Sequence, residues 1–280
     1  MQSHYFGVGS IVSWAEPGVG AIANQSVPGP GYGARGLALM RDGVSAPETL
    51  RRLLSADEQG SVRQVAVVDH HGRVAVHTGA RCIRHAGHRV ADGVSAQANI
   101  MERATVPDAM VEAYLTGPGD LADRLLAALE AAEAEGGDLR GRQSAAMRVV
   151  SPRARAEDEP SKESPFDLRV EDHGDPVSEL GRLVAVRRAY RRVEVADELA
   201  ASGDFDGAFA EYTAAHESQP DNAELAFWRG VALASRGREA EARPFLGAAY
   251  RRNEGWHELL RRLPAAGLFP DDQALIDRLE

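Results

Sequence analysis

The sequence predicts an α+β domain of mostly antiparallel strands, followed by an all-α helical-repeat domain. Three observations carry that expectation. Gln64-Val65-Ala66-Val67-Val68 and Arg73-Val74-Ala75-Val76-His77 flank Asp69-His70-His71-Gly72, a β-hairpin pattern that a purely parallel sheet cannot contain. Two strand-rich blocks are each followed by a pair of helical segments. Beyond about residue 182 the chain repeats itself: Leu199 recurs as Leu233, Gly203 as Gly237, Ala208 as Ala242, Tyr212 as Leu246 and Ala214 as Ala248, each pair 34 apart.

Taken in order, residues 7–14 and 18–23 read as short strands parted by Pro17-Gly18, and 27–33 as a loop rich in proline and glycine. A helix is expected from about Tyr32 to Arg41. Another opens at Ser45-Ala46-Pro47-Glu48, with Ser45 as N-cap and Glu48 closing a capping box. The hairpin follows, then a strand over Val94–Met101 and helices near 106–115 and 118–135. Gly136-Gly137 stops the last of these, because glycine enters the left-handed region freely, and a strand runs over Ala145–Val150. No G-x-G-x-x-G follows a strand, which sets aside a dinucleotide fold. We expect residues 1–150 as the first domain, 151–181 as an acidic, proline-containing and partly disordered linker, and 182–280 as the helical domain. The 34-residue period is that of the tetratricopeptide unit, with an unrelated four-helix bundle as the other reading.

The net charge of -10 argues against a nucleic-acid surface, and no apolar run approaches the roughly 18 residues that span a membrane. Only Lys162 is a lysine among 32 basic residues, which disfavours Schiff-base, Ser-Lys and P-loop chemistry. Cys82 stands alone, so neither a disulfide framework nor a multi-cysteine metal site is expected; a cytoplasmic setting fits. The nine histidines match no closed ligand set, and His70 and His71 are expected on opposite faces of the hairpin turn. Neither a metal nor a cofactor is expected. Gly93-Val94-Ser95-Ala96-Gln97 lacks the final glycine of a hydrolase elbow, and Cys82 near His85 or His88 reads as packing before nucleophile.

What remains is a set of small polar residues at strand ends: Ser3 and His4, Asn24 and Gln25, Gln97 and Asn99, and Asp138, Arg142 and Gln143. Neutral amides beside strands can hold a substrate amide or carboxylate. Asp138 can orient a nucleophile or its amine, and Arg142 can pair with a carboxylate in bidentate fashion.

Residues 2–9, 14–21, 32–37, 63–69, 96–101 and 137–145, from Gln2-Ser3-His4-Tyr5-Phe6 to Gly137-Asp138-Leu139-Arg140-Gly141-Arg142-Gln143-Ser144-Ala145, resemble the family called domain of unknown function 1028. The resemblance covers about residues 1–150. It implies an αββα sandwich of two antiparallel sheets, as in N-terminal-nucleophile hydrolases. It also implies Ser3 near the nucleophile, Asp138 and Gln97 in supporting catalytic roles, and His4, Asn24, Gln25, Asn99, Arg142 and Gln143 toward the substrate. Asn24 stands where relatives often carry threonine. Relatives begin roughly a strand pair earlier; Met1 cannot serve as the nucleophile, whose own amine is the base in this chemistry. Phe227–Leu263 is similar to a small module named for peptidoglycan binding. The expected function is an amide-bond hydrolase acting on a small molecule or short peptide, inactive if the chain starts at Met1. The alternative is a non-catalytic scaffold whose repeats bind a protein or peptidoglycan. An open sheet edge would favour a homo-oligomer.

Overall fold

In the strand Arg63–Asp69 (β4) successive side chains turn to opposite faces, and that alternation organises the first half of the molecule. Val65 and Val67 face one way and are fully buried; Gln64 faces the other and is also fully buried. The computed structural model describes residues 1–29, 31–153 and 165–280. They divide into two units, Met1–Val184 and Ala185–Glu280.

In the first unit β4 lies inside a four-stranded antiparallel sheet ordered Ser13–Glu16 (β2), Gly20–Ser26 (β3), β4 and Val74–Thr78 (β5). Helices Tyr32–Arg41 (α1) and Ala46–Ser55 (α2) cover its Val65 face, joining Ile22, Tyr32, Leu37, Leu50 and Leu53 into one core. Each such buried aliphatic side chain contributes about 1.5–3 kcal/mol. Helix α1 approaches closely because Gly33 and Gly36 face the sheet: a Cβ on Gly33 would overlap the Trp14 ring, and one on Gly36 would strike Ile22. Ser45 caps α2 as expected, accepting from the Glu48 N–H at 3.5 Å, but the expected box is not closed, because the Glu48 carboxylate turns to Arg51 and Arg52.

A second antiparallel sheet is ordered Gln2–Ser3 (β1), Ser144–Val149 (β8) and Phe166–Val170 (β9). Helix Leu121–Ala134 (α4) and the first turns of Pro176–Ala201 (α5) pack on it through Leu129, Met147, Phe166, Leu180 and Val184. The hairpin Gly87–Ala91 (β6) and Val94–Ala98 (β7) pairs antiparallel beside helix Val106–Thr116 (α3). The unit is thus α+β, with helices packed on antiparallel sheets.

Three local expectations are corrected. Residues 8–10 form a 3-10 turn, not part of a strand, because Gly7 takes a left-handed conformation with φ of 63°. The strand expected over 94–101 ends at Ala98 and has a partner, β6, that the sequence reading missed. Of the segment read as linker, residues 154–164 lie outside the described residues, Lys162 and the acids at 157, 158, 159 and 163 among them. Phe166–Val170, by contrast, is a strand paired residue for residue with β8.

The second unit is all helix: the end of α5, Phe205–Ser218 (α6), Ala223–Ala234 (α7), Glu239–Arg252 (α8), Gly255–Arg262 (α9) and Gln273–Leu279 (α10). Side chains of Asp204, Asn222 and Asp272 cap α6, α7 and α10. The 34-residue period appears in three dimensions. Gly203 and Gly237 both turn the chain with left-handed φ, and Ala208 and Ala242 are both buried.

Candidate functional site

The double glycine after α4 works as read: Gly136 and Gly137 have φ of 108° and 64° and turn the chain out of the helix. The turn delivers Asp138, whose side chain is only 3% exposed. Its Oδ1 accepts from the Arg140 backbone N–H at 2.9 Å and from Arg140 Nε at 3.0 Å. Its Oδ2 accepts from Arg140 Nη2 at 2.7 Å and from the His4 N–H at 3.3 Å. Burial pushes this carboxyl up, but the Arg140 guanidinium and the two backbone N–H groups outweigh it and hold Asp138 below the ordinary aspartate value. Asp138 is therefore an anion at neutral pH.

Strand β1 lies alongside. Ser3 pairs with Ser144 in the sheet, its carbonyl accepts from the Gln143 N–H at 3.2 Å, and its hydroxyl lies 3.5 Å from Arg140 Nη2. Ser144, fully buried, donates to the Tyr5 carbonyl at 2.5 Å and accepts from the Val8 N–H at 3.2 Å. Asp138, Ser3, His4 and Gln143 are thus neighbours.

A second polar group is built on β4. Gln64 Oε1 accepts from Gln25 Nε2 at 2.8 Å and Asn99 Nδ2 at 3.0 Å. Its Nε2 faces Thr78 Oγ1 at 3.0 Å, the Gly87 carbonyl at 3.0 Å and the Ala98 carbonyl at 2.9 Å. Reversing the amide would set oxygen against two carbonyls, so the surroundings fix its orientation. Gln25 also donates to the Gln97 carbonyl at 3.3 Å, and Ser95 donates to the Gln97 side chain at 3.4 Å. Residues 99–101 join the two groups: Leu139 N–H donates to the Ile100 carbonyl at 2.9 Å, and Met101 bridges Asp138. Ile100 has φ of 61°, a costly conformation for a β-branched residue.

Two of the sequence candidates lie apart from both groups. Asn24 clamps its own loop, exchanging hydrogen bonds with the Gly29 backbone at 3.0 and 3.2 Å. Arg142 pairs with Glu133 and stands 3.6 Å from Asp175, behind the loop that carries Asp138. Burial raises Glu133 above the ordinary glutamate value despite Arg142. The Gln143 side chain reaches Asp172 at 3.2 Å. Sequence reading missed Gln64, Arg140 and Ser144. Gln64 had a signal: a lone amide leading directly into the apolar run Val65-Ala66-Val67-Val68.

The histidines between residues 77 and 88 are held by local contacts. His77 lies 2.8 Å from the Gly60 carbonyl, His85 lies 3.2 and 3.1 Å from the Met101 and Glu102 carbonyls, and His88 lies 2.8 Å from Thr78 Oγ1. Cys82 donates to the Arg63 carbonyl at 3.4 Å. The expectation that His70 and His71 face apart is corrected: the turn brings their rings to 3.8 Å between centroids. Among the described residues no three His, Cys, Asp or Glu side chains gather as a metal site, and no helix is long and apolar enough to cross a membrane.

Residues 1–180 match the model of a family of unknown function, DUF1028, and residues 199–263 match that of the tetratricopeptide repeat. The crystal structure of a protein from Silicibacter pomeroyi, itself assigned to DUF1028, superposes with a TM-score of 0.58 at 28% identity. That match covers 65% of this chain and 78% of the other. No curated protein matches the sequence.

Proposed function

From the premise that the chain belongs to the DUF1028 family, we propose that its first unit is an amide-bond hydrolase of the N-terminal-nucleophile type, acting on a small molecule or short peptide. The observation that supports this most is the buried, ionised Asp138, tied to the residue after β1 through the His4 N–H and held by Arg140. An anion so placed can orient a nucleophile's hydroxyl or the α-amine that acts as its base. Ser3 and Gln97 support that centre in this reading. His4, Gln25, Asn99 and Gln143 lie toward the substrate, while Asn24 and Arg142 act at one remove, by shaping the loops. The chemistry requires a mature chain headed by Thr, Ser or Cys.

The test is direct. Protein from the native host is subjected to intact-mass measurement and N-terminal sequencing, then incubated with a library of amides while released amine is measured. Turnover is expected from a Thr-, Ser- or Cys-headed chain, and Asp138→Asn should lower it about a hundredfold, the scale of losing one preorganised electrostatic contact. A chain headed by Met1 or Gln2, or silence across the library, counts against the reading.

A second reading concerns the other unit. Its tetratricopeptide match supports a protein- or peptide-binding role, and a cleft of about 250 Å³ lined by Pro220, Asn222, Ala226 and Arg251 offers a place for it. Cosedimentation with purified peptidoglycan separates a cell-wall ligand from a peptide one.

A further inference from the structure

Buried polar side-chain atoms in folded proteins nearly always have a partner. Among the described residues five do not: Thr49 Oγ1, Thr213 Oγ1, His216 Nδ1, Arg229 Nε and Tyr250 Oη. Three of these belong to one neighbourhood in the helical unit. The His216 ring on α6 meets Phe245 of α8 edge-on, with centroids 5.3 Å apart. The guanidinium carbon of Arg229, on α7, stands 4.2 Å from the centre of the same Phe245 ring. Thr213 precedes His216 by one turn on α6, so the two share a helix face.

Arg229 is set apart by its buried Nε. Other arginines of this unit sit in ion pairs, such as Arg192 with Glu211, Arg238 with Glu241 and Arg278 with Glu239, while Arg236 stacks on Phe205. Among the described residues Arg229 has no carboxylate, only the aromatic face, and its Nε is buried without an acceptor. Its neighbours do not neutralise it. Burial, and then Arg229 itself, push His216 below the ordinary histidine value, with Glu217 opposing, so the imidazole is neutral at pH 7. Each of the three residues is half-buried overall, leaving part of its side chain open to solvent.

We propose that Thr213, His216 and Arg229 form a receptor for a carboxylate group. A guanidinium donates two parallel N–H bonds to a carboxylate, and a neutral imidazole N–H and a hydroxyl can supply the remaining donors. The single cation matches a monoanion. A phosphate, at about -1.5 to -2, calls for a second positive group that this cluster lacks. The carboxylate comes from an acidic side chain of a peptide or from a small free acid, chemistry that is the same at the site.

Calorimetric titration of the full 280-residue protein tests this, with N-acetylglutamate amide, an acidic hexapeptide and inorganic phosphate as probes. Saturable binding of either carboxylate probe is expected, with Arg229→Lys weakening it about tenfold or more, because lysine keeps the charge but not the fork. Circular dichroism checks that the variant keeps its helicity. If Arg229→Lys does not fold, Thr213→Val provides the second variant, with a severalfold loss expected. Binding of the peptide more tightly than the single residue identifies a peptide source, and equal binding a small acid; both support the site. No saturable binding of either carboxylate probe, unchanged affinity in the variants, or tighter binding of phosphate overturns it.

Discussion

The two units treat buried polarity in opposite ways. In the first, Gln64 is enclosed by Gln25, Asn99, Thr78 and two carbonyls, and Arg63 at 5% exposure pairs with Asp57 at 2.8 Å while donating to the Val27 carbonyl at 2.8 Å. Only Thr49 among its described residues holds a buried side-chain oxygen without a partner. In the second unit four side chains hold a buried polar atom without one, an oxygen in Thr213 and Tyr250 and a ring or guanidine nitrogen in His216 and Arg229. A satisfied network fixes one arrangement of strands, whereas unsatisfied donors carry a desolvation cost that a ligand could relieve. The contrast teaches that the rigid polar centre and the open one are on different parts of the chain.

The comparison can be broken most forcefully at Gln64. Replacing it with Leu keeps the volume but strands the Gly87 and Ala98 carbonyls and the Asn99 amide. Each such group costs about 1–3 kcal/mol, so the first unit should lose about 4 kcal/mol, read from hydrogen exchange of β4 amides in native protein. Exchange unchanged from wild type would show that the network is ornamental.

Asp57 gives the next effect. The hydrogen bond from Arg63 holds its carboxyl at about 2, against an ordinary value of 3.8. A depressed acid stabilises the fold fully above its unfolded value, and that stability is lost as pH falls through about 4 toward 2. Asp57→Asn should cost about 3 kcal/mol at pH 7, by leaving Arg63 without its anion, and should flatten the acid limb over that window. Denaturation followed from pH 7 to 2 would show an unaltered slope if the pair were irrelevant.

The smallest effect sharpens the comparison by changing sign. Burial, and secondarily Glu280, push the Tyr250 hydroxyl up to about 12, and that hydroxyl has no partner. Tyr250→Phe should leave the second unit equally stable or up to about 1 kcal/mol more so by thermal melting. A marked loss would mean that the hydroxyl is satisfied in solution and that the asymmetry between the units is smaller than drawn.

Legibility in the sequence followed locality. Helix α1 and the β4–β5 hairpin were readable, because each is written in a few consecutive residues. Strand β9 has the right alternation, Phe166-Asp167-Leu168-Arg169-Val170, but stands among acids and prolines whose composition suggested a linker. Strand β6 was missed because His88 and Arg89 face solvent and little apolar pattern remains. At the candidate site Asp138 could be singled out from its crowded polar turn. Its counterion could not: Arg140 and Arg142 are equivalent on paper, and the choice depends on Glu133, which takes Arg142 from across the turn. Gln64 was passed over for the same reason, since its partners come from four separate segments, around 25, 78, 87 and 98–99.

The turn at Ile100 carries this further. Local rules would put glycine or asparagine at a φ of 61°, yet the position holds an isoleucine, pinned by the Ile83 carbonyl at 3.3 Å and the Leu139 N–H at 2.9 Å. Nothing within the turn favours its own shape. Its shape is therefore imposed from outside, by the chain around 83 and around 139, so the link between the two polar groups of the first unit holds only while both of those long-range contacts are made.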